Sequence, residues 1–154
     1  MADLLIQKGQ GKGPAYASIT DANDVITWLE PPPAAAPAGA LPYRRLGALK
    51  DWRTPSPFLY TVEIDVAEAD IPALAEWYEG EHLAMLAAVP GTLGASRYEN
   101  IQGSDIRFLA AYRFATPGIP ETPAWIEARS TPWTERMRPL FRTSRRFIRR
   151  LLPG

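Results

Sequence analysis

The chain has 154 residues, with Lys plus Arg matching Asp plus Glu at 17 each, one histidine and no cysteine. That length suits one domain with one moderate core, and the balanced charge provides no field that would recruit nucleic acid or an acidic partner. The missing cysteines exclude disulfides, thiolate nucleophiles and zinc ribbons and suit a reducing compartment; with a single histidine and no clustered acids, a cytoplasmic protein without a metal site is expected.

In chain order, the opening "MADLLIQKGQGKG" holds an apolar run of three residues. That is too short for a signal-peptide core, and no later stretch approaches the length of a membrane span. "GQGKG" at 9–13 fails both phosphate-loop templates, because Lys12 is followed by Gly13 and Pro14 rather than by Ser or Thr or by the start of a helix, so a flexible loop is expected. "DVITWLE" at 24–30, β-branched and aromatic, predicts a strand. "PPPAAAPAGALP" at 31–42 has five of the chain's 16 prolines and predicts an extended connector. Residues 1–57 are therefore expected to form an arm with one or two strands and a proline-rich connector, and residues 58–154 the domain proper.

"FLYTVEID" at 58–65 alternates, with Phe58, Tyr60, Val62 and Ile64 on one face. A helix follows, with Asp70 as N-cap, Pro72 in the first turn and Gly91 as the stop. Leu74, Tyr78, His82, Met85 and Val89 share its inward face, and Gly80 marks a kink or break before Glu81. Strands are predicted at 92–99 and 106–114, joined through "NIQGSD"; in the second, Ile106, Phe108, Ala110, Tyr112 and Phe114 fall on one side. A last helical region begins near Thr122, is interrupted around Pro132 and resumes through "RMRPLFRTSRRFIRRLL". From Arg136 to Arg150 that segment has seven arginines and no acid, and a basic amphipathic helix docked on the domain is expected in preference to one bound to a membrane. Strand, helix, strand, strand, helix is a ferredoxin-like α+β unit, an antiparallel sheet with helices on one face.

His82 is the natural acid or base near neutrality, and its register directs it at the sheet face carrying Tyr60 and Tyr112. The competing reading is a histidine that bridges a helix break. Glu81 points away from it on a regular helix, unless the break redirects it. Trp77 and Tyr78 are expected to pack, with Tyr78 the better placed to line a cavity. Arg97 and Tyr98 point to opposite faces of one strand, and Tyr98 is the one assigned to the cleft.

"WYEGEHLAMLAAVPGTLGASRYE", followed by "FLAAYRF" and "TPWTERMRP", resembles the dimeric α+β barrel superfamily, in particular its EthD-like branch. Trp77, Tyr78, Glu81, His82, Pro90, Gly91, Arg97 and Tyr98 carry the likeness, which spans about residues 58–140. It implies a ferredoxin-like protomer whose sheet pairs with that of a second protomer into a barrel, each with a pocket between sheet and helices. Relatives include cofactor-free monooxygenases, cyclases, isomerases and lyases as well as proteins of no known activity, several acting on hydrophobic aromatic compounds. The expectation is a small homodimeric enzyme without a tightly bound cofactor, a lyase or isomerase in preference to an oxidoreductase, working on an aromatic or carbonyl-bearing small molecule. His82 would shuttle the proton and Tyr60 and Tyr112 would orient or stabilise an oxyanion, while Trp77, Tyr78, Glu81, Met85, Tyr98 and Phe108 would wall the cavity. The alternative is a hydrophobic-ligand-binding or accessory protein of the same fold.

Overall fold

A computed structural model of the chain describes residues 1–103 and 105–154. Of the predicted 100–105 loop, only Ser104 lies outside the described residues. Eight strands form one closed antiparallel barrel: β1 (Leu4–Lys8), β2 (Ala15–Ser18), β3 (Val25–Leu29), β4 (Leu41–Lys50), β5 (Phe58–Asp65), β6 (Thr92–Asn100), β7 (Phe108–Phe114) and β8 (Thr143–Leu151). Around the barrel they run β1, β3, β2, β8, β5, β7, β6, β4.

Within that circuit the chain contains the same arrangement twice. Strands β8, β5, β7 and β6 are neighbours in the order expected of a ferredoxin-like sheet, and β4, β1, β3 and β2 repeat it. The first 57 residues are thus a half-barrel of four strands and not an arm with one or two. Its two crossovers carry no helix: residues 9–14 replace one and the proline-rich segment after β3 replaces the other. The 9–14 loop is fastened to the sheet, because the Thr27 hydroxyl donates to the Gly9 carbonyl at 2.7 Å and accepts from the Gly11 N–H at 2.8 Å. The barrel that the resemblance implied from two protomers is closed within one chain.

The second half carries the helices. α1 (Ile71–Trp77) and α2 (Leu83–Ala87) are joined without a break by a π turn over Tyr78–His82. Gly80 therefore lies within an irregular turn of a continuous helix and not at a break. A Cβ there would lie 2.8 Å from the Trp133 ring, so glycine lets the helix approach that indole. Asp70 occupies the N-cap position but its side chain makes no capping bond, since a 3₁₀ turn over Glu68–Asp70 already leads into the helix. α3 (Pro123–Ala128) and α4 (Pro132–Met137) each start at a threonine whose hydroxyl accepts a backbone N–H, Thr122 from Trp125 and Thr131 from Thr134.

The predicted C-terminal basic helix ends at Leu140, and Thr143–Leu151 is strand β8. It pairs along its length with β5 on one side, and through Arg149–Leu151 with β2 on the other. Arginines on both faces hide its period of two: Arg145 and Arg149 point into the barrel, Arg146 toward the helices. Two cores result. Leu4, Tyr16, Trp28, Leu59, Tyr98 and Leu109 fill the barrel interior, while Tyr60, Leu74, Trp77, Tyr112 and Trp125 belong to the core between the second half-sheet and its helices.

Candidate functional site

Between the helices and strands β5 and β7 lies a cavity of about 460 Å³. Strand alternation supplies one wall. Tyr60 and Tyr112 are direct cross-strand partners, with ring centroids 6.0 Å apart, and the edge of Trp125 meets both, at 5.9 and 5.2 Å. The helix supplies the other wall through Trp77, Tyr78, His82 and Leu86. His82 is 8% exposed, stacked on Trp77 at 3.9 Å, with the edge of Tyr78 5.4 Å away.

The π turn decides which helix residues face the cavity. Each residue of a π turn advances the chain through a smaller angle than in an α-helix, so the inward stripe slips by about one position. Leu86 takes the place predicted for Met85, which is 37% exposed and lines nothing. The indole N–H of Trp77 donates to the Thr134 hydroxyl at 3.3 Å, which sets the ring on which His82 lies.

Three other predicted wall residues are elsewhere. Glu81 is turned outward, accepting a hydrogen bond from the Thr131 hydroxyl at 2.7 Å, and so fastens the π turn to the start of α4. Tyr98 faces the barrel interior, where its hydroxyl donates to the Glu30 carboxylate, 2.8 Å from both oxygens; Arg97 is the β6 residue that faces the helices. Phe108 packs on the helix side but beyond the cavity, with the Arg97 guanidinium 5.4 Å from its ring centre. Five predicted residues, His82, Tyr60, Tyr112, Trp77 and Tyr78, do meet in one cavity. Sequence reasoning missed Trp125, Phe141, Arg129, Arg138 and Arg146. Trp125 was findable as the buried aromatic three residues after the Thr122 cap; Arg146 was concealed by the helical reading of its segment.

Burial dominates the protonation chemistry. It pushes the His82 pKa down to about 3, helped by the Arg138 and Arg146 guanidiniums, so the imidazole is neutral at pH 7. The His82 Nδ1 is buried with no hydrogen-bond partner among the described residues. Burial also raises all three phenols: Tyr112 well above its ordinary value, Tyr78 up to about 12, and Tyr60 upward against the pull of Arg146 and Arg129. Near neutrality the cavity therefore presents protonated phenols beside a neutral imidazole. Among the described residues, no three histidine, cysteine or carboxylate side chains cluster as a metal site requires, and no helix is long and apolar enough to cross a membrane.

The architecture is the ferredoxin-like fold of the dimeric α+β barrel proteins. No protein-family model matches the sequence, and no curated protein matches it. Solved structures do. A ferredoxin-fold protein from Listeria monocytogenes, described as uncharacterized and related to antibiotic biosynthesis monooxygenases, superposes with a TM-score of 0.69 at 11% identity, over 98% of this chain and 94% of that one. A heme-degrading enzyme from the same species gives 0.62 at 11%, over 96% and 97% of the two chains. A dimeric chlorite dismutase from Nitrobacter winogradskyi gives 0.61 at 12%, over 97% and 99%. The likeness extends through residues 1–57 and is one of fold; the EthD-like branch is carried by the sequence resemblance alone.

Proposed function

We propose that the protein is a small enzyme performing acid/base chemistry, of lyase or isomerase type, on a hydrophobic, aromatic or carbonyl-bearing small molecule, without a tightly bound cofactor. The observation that carries this reading is the convergence of His82, Tyr60 and Tyr112 on one aromatic-walled cavity of a size usual for small-molecule sites. In it, Tyr60 and Tyr112 keep their protons and donate to the oxygen of a substrate on which negative charge develops. His82 takes the proton from the adjacent carbon and returns it elsewhere on the product. Trp77, Tyr78 and Trp125 hold the ring system between them.

A second reading uses the same first step. The carbanion so formed combines with molecular oxygen and a proton to give a hydroperoxide, whose O–O bond breaks with loss of water to leave a carbonyl at that carbon; the Listeria neighbour described as related to antibiotic biosynthesis monooxygenases favours it. Dioxygen consumption during turnover separates the two. The homodimer implied by the resemblance also belongs to this proposal, supported by the dimeric chlorite dismutase neighbour. A second copy would add to a barrel already closed, and light scattering on the purified chain measures it.

The test is His82→Gln, which keeps a neutral polar side chain of similar size. Turnover of any compound found by screening aromatic ketones, esters and phenols is expected to fall at least about a hundredfold, with the thermal melt at neutral pH nearly unchanged. Surviving turnover would remove His82 from the chemistry.

A further inference from the structure

Two cavities of this protein take arginines from opposite faces of strand β8, and they differ in what faces those arginines. At one end of the barrel interior, a cavity of about 640 Å³ has Arg145 and Arg149 on its wall. Arg145 is paired with Glu63 at 2.8 Å and Asp105 at 3.1 Å, and Arg149 with Asp24 at 3.2 Å. Each β8 arginine on that side has a carboxylate to meet it.

On the opposite face of the same strand the arrangement changes. Arg146 sits across from Val62 and lines the cavity that holds His82, together with Arg129 and Arg138. Among the described residues, no aspartate or glutamate lines that cavity. Arg138 has Glu135 at 3.2 Å, on its solvent side of the wall, and donates to the Arg129 carbonyl at 2.8 Å. Among the described residues, Arg129 and Arg146 have no carboxylate within ion-pair distance. Arg129 and Arg146 thus meet the aromatic cavity without a carboxylate partner, Arg138 meets it with its own partner Glu135, and Arg138 and Arg146 stand exposed at its rim; guanidiniums are the side chains best shaped to take a planar anion through two parallel hydrogen bonds.

We infer that the ligand of this cavity is an aromatic anion, its ring system between Trp125, Tyr60 and Trp77 and its carboxylate, or an equivalent planar anionic group, held by Arg129 and Arg146 with Arg138 beside them. The inference rests on the reading of the cavity as the working site and adds the charge of what it takes. It also assigns the arginines a second effect. Burial is the main cause that keeps His82 unprotonated and Arg138 and Arg146 add to it; an anion seated against them opposes their part of that influence and shifts the imidazole toward greater basicity when ligand is present.

The experiment compares 2-naphthoate with its neutral isostere 2-naphthamide by titration calorimetry on the full chain, at low and high salt. The His82 ring signals are followed by NMR in parallel, and circular dichroism verifies the fold of each variant. The carboxylate is expected to bind about tenfold tighter than the amide. That preference shrinks with salt, disappears in Arg129→Gln and Arg146→Gln, and is partly retained in Arg146→Lys. Arg142→Gln, an exposed arginine outside the cavity, is expected to leave both affinities unchanged. Equal binding of the two compounds that moves the His82 signals but ignores Arg129→Gln and Arg146→Gln would overturn the anion inference while leaving the cavity reading intact. An equal loss on Arg142→Gln would overturn it as well, by reducing the preference to general surface charge. Failure of both compounds to bind or to move His82 would overturn the inference and the cavity reading together.

Discussion

The two halves of this barrel share a strand order and differ in what covers their outer faces. In residues 58–154 the crossovers are helices, and the space between helices and sheet is the cavity with His82, Tyr60 and Tyr112. In residues 1–57 the crossovers are loops, one tied down at Thr27 and one rich in proline, and cavities against this half lie at the ends of the barrel. A ferredoxin-like sheet alone therefore does not make this site. A helix is about 10 Å thick with its side chains and stands off from the sheet, so large aromatic side chains can frame a void beneath it; a loop can lie directly on the strands and leave none. The first half serves as the wall that closes the barrel and holds the second half's sheet in shape.

The largest expected effect that sharpens this contrast is in the second half. His82 titrates near 3 in the fold against about 6.5 in an unfolded chain. Between those values the unfolded state binds a proton that the folded state does not, so stability is complete above pH 6.5 and falls as the pH drops toward 3, by on the order of 4 kcal/mol. His82→Leu removes that contribution; urea unfolding at pH 7 and pH 4 should show the variant losing clearly less stability than the natural chain. Matching losses would mean the imidazole is not desolvated.

A smaller effect is expected where the halves meet. Glu30, from the first half, receives the Tyr98 hydroxyl, the Trp28 indole N–H at 3.3 Å and Arg45 at 3.2 Å. Tyr98→Phe withdraws one donor from a carboxylate whose side chain is 1% exposed, at a cost of about 1–3 kcal/mol in the urea midpoint. Ligand affinity in the helix-side cavity should stay within about twofold, since this network reaches the other face of β6. A selective loss of affinity or turnover with unchanged stability would place the chemistry in the barrel interior and break the contrast. The smallest effect falls on the proline-rich connector: Ala35 is exposed, and Ala35→Ser should change stability by less than about 0.5 kcal/mol in the same assay.

Much of the second half was legible. Strand β5 has the predicted bounds, Phe58–Asp65, and Phe58, Tyr60, Val62 and Ile64 share the helix side because a half-buried strand writes its burial as alternation. Thr122 and Gly91 mark helix ends for local reasons, a hydroxyl that caps and a positive φ of 91° that glycine tolerates. The first half was harder. β1, β2 and β4 are short or carry proline and glycine, and they are strands because their neighbours pair with them, a contact that no local pattern records. β8 misled for a related reason: arginines on both faces erase alternation, and only pairing with β5 and β2 decides between helix and strand.

The site divides along the same line. By itself the sequence determined that His82, Tyr60, Tyr112, Trp77 and Tyr78 share a cleft, because helix and strand periods are local and the order of elements places the two faces opposite each other. It also determined, through the absence of cysteine and the presence of one histidine, which chemistry was open. The tertiary structure alone decided the rest. The π turn exchanged Met85 for Leu86, the facing of β6 took Tyr98 away from the cavity and turned Arg97 to the helix side, and the strand pairing of β8 delivered Arg146 to the cavity wall. Each of these depends on how one element is rotated or paired against another, which is fixed by contacts between residues far apart in the chain.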